Sequence, residues 1–505
     1  MTPDPNILPD VPSTAGDAAE RRSSGWDIRN APRNYIALVI FQAASALLSF
    51  GAVWLITRHL GSAGYGGIVA IIAASQVAQV FVNWTCVAVV RFGVDEFIET
   101  EKIARTFWLR FFILVVNLAL VAILSPYWFP YLADWLKLST GSFWLVMTHF
   151  AVTAFWLHIQ MGLQGAKLMR MQGLLQMIER LLIFVGLFGL TSAAPLTPNL
   201  AIICYIIAPA AVMFFGLFEL RKYVWTRFAV DRVFLQKFVA YSLPLLPFSL
   251  VGYFSGSYVD AVFVSKFLST KDLGIYSVAT QINGIALQLP TLANTLLLPL
   301  LVTMQSEGDN QRGINYFQNV LPSLTLLWGL ACSISAFVAY FAIPLIFGTQ
   351  FTEATAPLWV LLAGSVVSLP ILIGYAAVSH AASRTYISLA AAILGAGTNL
   401  AANFLLIPSF GIEGCAWATV ISSFASLFTF TGLLWRTGLV SPSWIYLALS
   451  PCLLGGIIFS FSKSPFAGSA SCLVVSVLAA LYRRAPIIET LDFLKRHKLP
   501  VIPVR

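Results

Sequence analysis

A thirteen-residue block occurs twice in this chain, and that repeat limits the possible folds more than any other feature. Residues 58–70 read RHLGSAGYGGIVA and residues 266–278 read KFLSTKDLGIYSV. Arg58 aligns with Lys266, Leu60 with Leu268 and Gly66 with Gly274, at a constant offset of 208. Each copy follows one long apolar segment and opens the next. Repeats of this length in an apolar chain imply two homologous helical lobes, an arrangement that places a substrate site between them.

The solvent for such a chain is a bilayer. Hydrophobic residues make up 58% of the sequence and charged residues 10%, with a mean hydropathy of +0.83. A soluble chain carries roughly 25% charged residues. Runs of about 20 mostly apolar residues suffice for a crossing, and about fourteen can be placed along the sequence, from 35–57 to the short last pair at 444–462 and 466–482. The runs are continuous rather than alternating, which argues against a β-barrel. The expected fold is therefore all-α and polytopic, with two repeat-related six-helix lobes and two further C-terminal helices. The boundaries read as a disordered tail (1–34), a first lobe (35–218), a charged amphipathic linker (219–237), a second lobe (238–435), the last two spans (436–482) and a basic tail (483–505).

Charge placement orients this map. Of the 30 basic residues, 25 fall on the side shared by both termini and five (Arg58, Lys137, Lys266, Lys271, Lys463) on the other. The positive-inside rule then puts both termini in the cytoplasm. The same bias accounts for the formal charge of +9 without nucleic-acid binding, since no basic patch interleaved with aromatics sits in a soluble domain. The first apolar run is too long for a cleaved signal peptide. Six cysteines are scattered through apolar segments with no CxxC pair, so they read as small buried hydrophobes. Walker A, GxSxG, HExxH and Rossmann patterns are absent. The expectation is a transporter with no cofactor and no catalytic residues.

Polar residues inside spans are the candidates for function. Gln76, Gln79 and Asn83 share one helical face in the second span, and Gln281 and Gln288 share one in the repeat-related eighth. Either these amide stripes line a common lumen, where they match sugar hydroxyls, or they join helices. Asp260 lies on a seventh-span stripe with Ser249, Tyr253 and Gly256; either it carries a coupling H⁺ or Na⁺, or it pairs with Lys266. Asn399 and Asn403 lie one turn apart on the eleventh span and either line the cavity or pack helices. Arg58 and Lys266 at one end, and Arg91, Arg110 and Arg384 near the other, are candidate pyrophosphate ligands; the competing readings are snorkelling to headgroups for the first two, which is favoured, and positive-inside topology for the other three. Glu179 and Arg180, adjacent in the fifth span, point to different faces. His149 and His158 are either protonatable or satisfied by packing.

Three stretches carry a family resemblance. DAVFVSKFLSTKDLGIYSVATQI (260–282), ASRTYISLAAAILGAGTNLAANFLLIPSFGIEGCAWATVIS (382–422) and RHLGSAGYG (58–66) resemble the polysaccharide (O-antigen/exopolysaccharide) flippases of the multidrug/oligosaccharidyl-lipid/polysaccharide exporter superfamily. Asp260 matches the family's acidic seventh-span position, and Asn399 and Asn403 its Asn-x-x-x-Asn pair. The resemblance implies a V-shaped, MATE-like pair of lobes in a bacterial inner membrane. It implies flipping of polyprenyl-pyrophosphate-linked oligosaccharides to the periplasmic leaflet by alternating access, for surface polysaccharide or lipopolysaccharide synthesis. A polymerase or chain-length regulator is an implied partner. Two readings of the same superfamily stay open: a cation-coupled MATE-type exporter, and a peptidoglycan-precursor flippase. The scarcity of intramembrane carboxylates weighs against the first, and a first span without arginine before Arg58 against the second.

Overall fold

The computed structural model describes residues 13–436, apart from 194, 227–228, 230–231, 244, 255–256, 307–309 and 383, and then residues 445, 449, 464–484 and 486–488. Among these residues every regular element is helical. The expected thirteenth span, 444–462, lies almost wholly outside them, as does most of the basic tail.

The first lobe is built from α1 (Ser13–Gln79), α2 (Cys86–Thr100), α3 (Ala104–Ile123), α4 (Ser125–Leu136), α5 (Ser142–Gly165), α6 (Met169–Ala193) and α7 (Pro198–Val224). A connector helix follows, α8 (Arg232–Ser242). The second lobe holds α9 (Leu245–Phe254), α10 (Ser257–Phe267), α11 (Thr270–Ser306), α12 (Asn310–Asn315), α13 (Leu321–Phe347), α14 (Thr355–Pro370), α15 (Ala376–Ala381) and α16 (Thr385–Arg436). One more helix, α17 (Pro465–Tyr482), packs on α13.

Eight stretches among the described residues are long and apolar enough to cross a membrane. Two of them exceed one crossing: Ala37–Gln79 has 43 residues and Thr385–Arg436 has 52, against about 20 needed. Each breaks at a glycine with positive φ, Gly61 at +67° and Gly411 at +61°, a conformation that costs other residues dearly. Beyond Gly411 the α16 arms lie side by side, so that Ser426 Oγ donates to the Ala391 carbonyl at 3.1 Å. Side chains such as Val116, Phe215 and Phe341 are exposed, as a lipid-facing wall requires. The protein is a multi-pass membrane protein.

Helix α1 begins at Ser13. Residues 16–22 (GDAAERR) are mostly good helix formers, and extending an existing helix avoids the cost of nucleation. The connector helix α8 docks on the first lobe, with Phe234, Phe238 and Tyr241 around Phe92 at 5.5–5.7 Å between ring centroids. The Arg105 guanidinium lies 3.6 Å over the Phe234 ring.

The lobes meet through the repeated block. A Cβ on Gly66 would overlap the Thr270 carbonyl, and a Cβ on Gly274 would overlap the Ser62 carbonyl. Ser62 and Thr270 stand in the same repeat relation as the two glycines, so the contact is reciprocal. Only residues without a side chain let the backbones approach this closely. Around it, the largest apolar core runs without interruption from Ala52–Ala74 of the first lobe into Val259–Ala279 of the second. The smaller clusters around Phe107, Phe150 and Val89 belong to the first lobe and its connector. The molecule is thus sealed at the Gly66–Gly274 end.

Candidate functional site: a polar cavity between the lobes

A cavity of about 810 Å³ opens between the lobes beneath that seal. Helices α1, α5, α6 and α7 form one wall, and α10 and α11 the other. Tyr65, Tyr258 and Tyr276 line its sealed end, while Gln42, Gln160 and Gln288 lie several helical turns away. Gln76, Gln281 and Gln288, three of the amides singled out by the stripes, are on the cavity wall.

The rest of the first stripe turns away from it. Helix α1 ends at Gln79, and residues 80–85 form turns before α2 starts. Gln79 Nε2 donates to the Phe150 carbonyl at 2.9 Å and to Thr153 Oγ1 at 2.6 Å, inside the lobe. Asn83 Nδ2 donates to Gln79 Oε1. Arg110 is fully buried beside them, and its Nη2 donates to Asn83 Oδ1 at 3.3 Å and to Cys86 Sγ at 3.0 Å. Its Nε and Nη1 have no partner among the described residues. Arg110 is therefore placed as a staple across the broken second span, not on the cavity wall.

Asn399, Asn403 and Asp260 converge on one another in the core of the second lobe instead of facing the cavity. Asp260, on α10, is 5% exposed. Its Oδ1 accepts from Asn403 Nδ2 at 3.0 Å. Its Oδ2 accepts from Tyr276 OH and Thr419 Oγ1, both at 3.1 Å. Asn403 Nδ2 also donates to Asn399 Oδ1 at 3.0 Å. Asn399 and Asn403 meet because residues four apart share a helix face; Thr419 joins them because α16 doubles back at Gly411. Among the described residues no cation pairs with Asp260, and Lys266 turns elsewhere. Leaving a buried carboxylate without partners is costly, and the donors from α11 and both arms of α16 supply the compensation. Tyr253 is half-buried against the main core, outside the cavity lining. The Ser249 side chain and Gly256 lie outside the described residues.

The basic candidates at the sealed end reach across the lobes. Arg58 Nε donates to the Ile346 carbonyl at 2.7 Å and its Nη2 to the Leu345 carbonyl at 2.5 Å, both at the end of α13. Its repeat mate Lys266 places Nζ 3.4 Å over the Trp135 ring of α4. Lys137 donates to the Leu268 carbonyl. These contacts fasten the seal and leave the cavity wall to other residues. Arg91 is exposed and pairs with Asp95 at 3.8 Å. Arg384 is half-buried, next to α15.

Several cavity residues were missed by sequence reasoning. Arg180, half-buried on α6, lines the cavity and stands within electrostatic reach of His149, Tyr205 and Tyr258. It lies eleven residues inside α6, in the span where the sequence places it, but was given no role from the sequence. An intramembrane charge is by itself a pointer to function, and that signal was available. Its neighbour Glu179 also borders the cavity, accepts from Trp156 Nε1 at 2.8 Å and is 8% exposed. His149 is bonded to Ser75 Oγ at 2.7 Å. Gln160 and Gln176 bond to each other at 2.9 Å across α5 and α6.

Comparison with known proteins bears on this arrangement. Residues 31–305 match a family model described as "Polysaccharide biosynthesis protein". A curated relative, "Probable low-salt glycan biosynthesis flippase Agl15" of Haloferax volcanii, is 26% identical over 221 residues. The match takes in 42% of this chain and 45% of the relative, so the chain spans less than half the length of that protein. Among solved structures, "Lipid II flippase MurJ, inward closed conformation" superposes with a TM-score of 0.65 at 16% identity, over 91% of this chain and 100% of that one. An inward-facing "multidrug resistance MATE family transporter of the MOP superfamily" gives 0.62 at 12%, over 80% and 98%. At these identities the structural likeness speaks to the fold, which is that of the MurJ and MATE proteins.

Proposed function

The chain belongs to the polysaccharide biosynthesis protein family, and from that premise we propose that it flips a polyprenyl-diphosphate-linked oligosaccharide from the cytoplasmic to the periplasmic leaflet. The observation that carries this reading is the inter-lobe cavity, lined by amides and tyrosines and sealed at one end by paired glycines. A glycan headgroup carries many hydroxyls, and moving each unpaired into hydrocarbon costs several kcal/mol. Amide side chains both donate and accept, so the Gln76 and Gln281 walls replace water around the sugars while the polyprenyl tail stays in lipid. Arg180 is the cavity group suited to hold the diphosphate, through paired charge-assisted bonds.

Alternating access follows from the seal. Opening requires Gly66 and Gly274 to part and the Arg58, Lys137 and Lys266 contacts across the lobes to break. The basic distribution supports reading this seal as the periplasmic side. Asp260 is the coupling group in this reading. Its carboxylate, the amide oxygens of Asn399 and Asn403 and the Thr419 hydroxyl are hard oxygen donors of the kind that hold an alkali cation, and a proton is the other occupant. Tyr276 connects the two places: it lines the cavity and donates to Asp260. Charging or neutralising Asp260 thereby changes the bonding of a cavity-wall residue.

A lipid-linked glycan profile of a strain lacking the gene tests the function. Accumulated polyprenyl-diphosphate oligosaccharide, with loss of one surface polysaccharide, is the expected result. An unchanged profile with new sensitivity to cationic compounds would overturn it in favour of a drug exporter.

A further inference from the structure

We infer that the oligosaccharide this cavity accepts is built of uncharged sugars, its only strong charge being the diphosphate; the inference rests on the flippase reading above. The described lining is polar but almost without net charge. Six glutamines face it (Gln42, Gln76, Gln160, Gln176, Gln281 and Gln288), drawn from both lobes. Four tyrosines (Tyr65, Tyr205, Tyr258, Tyr276) complete its sealed end. A tyrosine offers an apolar ring edged by one hydroxyl. That matches a neutral pyranose, which has an apolar face and a hydroxylated rim.

The charged groups of the described lining are Glu179, Arg180 and His149. Glu179 is buried and engaged by Trp156, and His149 is engaged by Ser75. Arg180 alone is a half-exposed cation there, and no carboxylate pairs with it among the described residues. A diphosphate already carries more negative charge than one guanidinium neutralises. A uronic acid in the glycan would bring a further carboxylate past Glu179 to a wall of amides. An ion moved out of bulk water without a counter-charge is heavily penalised, whereas a hydroxyl at the same position finds both a donor and an acceptor. The same wall that suits hexoses therefore excludes acidic sugars.

The test uses the full chain in lipid nanodiscs and proteoliposomes with two polyprenyl-diphosphate trisaccharides. One carries three hexoses; in the other a hexuronic acid replaces the middle sugar. The neutral glycan should bind at least about tenfold more tightly and be the one that flips. Arg180→Gln should weaken binding of both, because both present the same diphosphate. Gln76→Arg, or Gln281→Arg on the opposite wall should the first not fold, should raise the affinity for the uronic-acid glycan and narrow the gap. Equal binding and flipping of the two glycans by the unmodified protein would overturn the inference and leave the flippase reading standing. Binding and flipping of neither would overturn both.

Discussion

Arg110 in the first lobe and Asp260 in the second are both buried charges held in polar networks, and the two networks differ in sign, in setting and in reach. In the first lobe Arg110 clasps Asn83 and Cys86 where the second span is broken. Its surroundings stay inside that lobe. In the second lobe Asp260 gathers Tyr276 from α11 and Asn403 and Thr419 from the two arms of α16. One of those partners is itself cavity wall. A buried charge that repairs a local break is a structural device; a buried charge wired to the transport path can report its own state to the substrate. The contrast teaches that burial and polarity alone do not mark a functional residue, and that the decisive fact is what the partners touch.

Asp260→Asn makes the sharpest test of that contrast. The substitution keeps the shape and removes the charge. Flipping driven by an imposed ion gradient should fall by an order of magnitude or more, while the melting temperature changes little. Normal gradient-driven flipping in proteoliposomes would end the coupling role. Arg110→Met should do the opposite. Losing charge-assisted bonds costs roughly 2 kcal/mol of stability, read as a lower melting temperature, with transport per folded molecule retained. If Arg110→Met abolished transport at full stability, the two networks would not differ in the way described.

The seal offers a second comparison, between repeat mates. Alanine at Gly66 or at Gly274 must push the same two backbones apart, and overpacking of this kind costs about 1–3 kcal/mol. Each variant should shift the population toward the form open at this end, to similar extents. Cysteines at Ser62 and Thr270 supply the readout: their cross-linking should drop in both variants. A drop in one alone would show that the seal is not reciprocal. Tyr276→Phe is expected to be milder. It removes one of the donors to Asp260, worth about 1 kcal/mol, and should lower gradient-dependent flipping several-fold without changing the cavity's shape. Arg91→Ala, breaking an exposed pair, should leave flipping and melting temperature nearly unaltered.

Much of this organisation was legible before any coordinates. The offset of 208 anticipated that Gly66 and Gly274 are equivalent, and equivalent backbones on a pseudo-symmetric pair of lobes are the ones that meet on the axis. The helical spacing of Gln281 and Gln288 put both on one face, and that face is the cavity wall. The same rule failed for Gln79 and Asn83, because it assumes an unbroken helix and α1 ends at Gln79. It also failed to separate Asn399 and Asn403 from the cavity, since a shared face says nothing about which neighbour that face meets.

By itself, the sequence determined the solvent, the helical class, the two lobes and the glycine pair, because composition, period and repetition are local or self-referential properties. Tertiary structure decided the rest. Asp260 and Asn403 are 143 residues apart, and no periodicity links them. Arg180 and Glu179 are neighbours in the chain and both border the cavity, yet Arg180 is half-exposed there while Glu179 is buried against Trp156, a difference that only packing sets. Arg58 and Lys266, read as possible ligands, were drawn into the seal for the same reason: a cation's role follows from the surface it reaches, and that surface belongs to the other lobe.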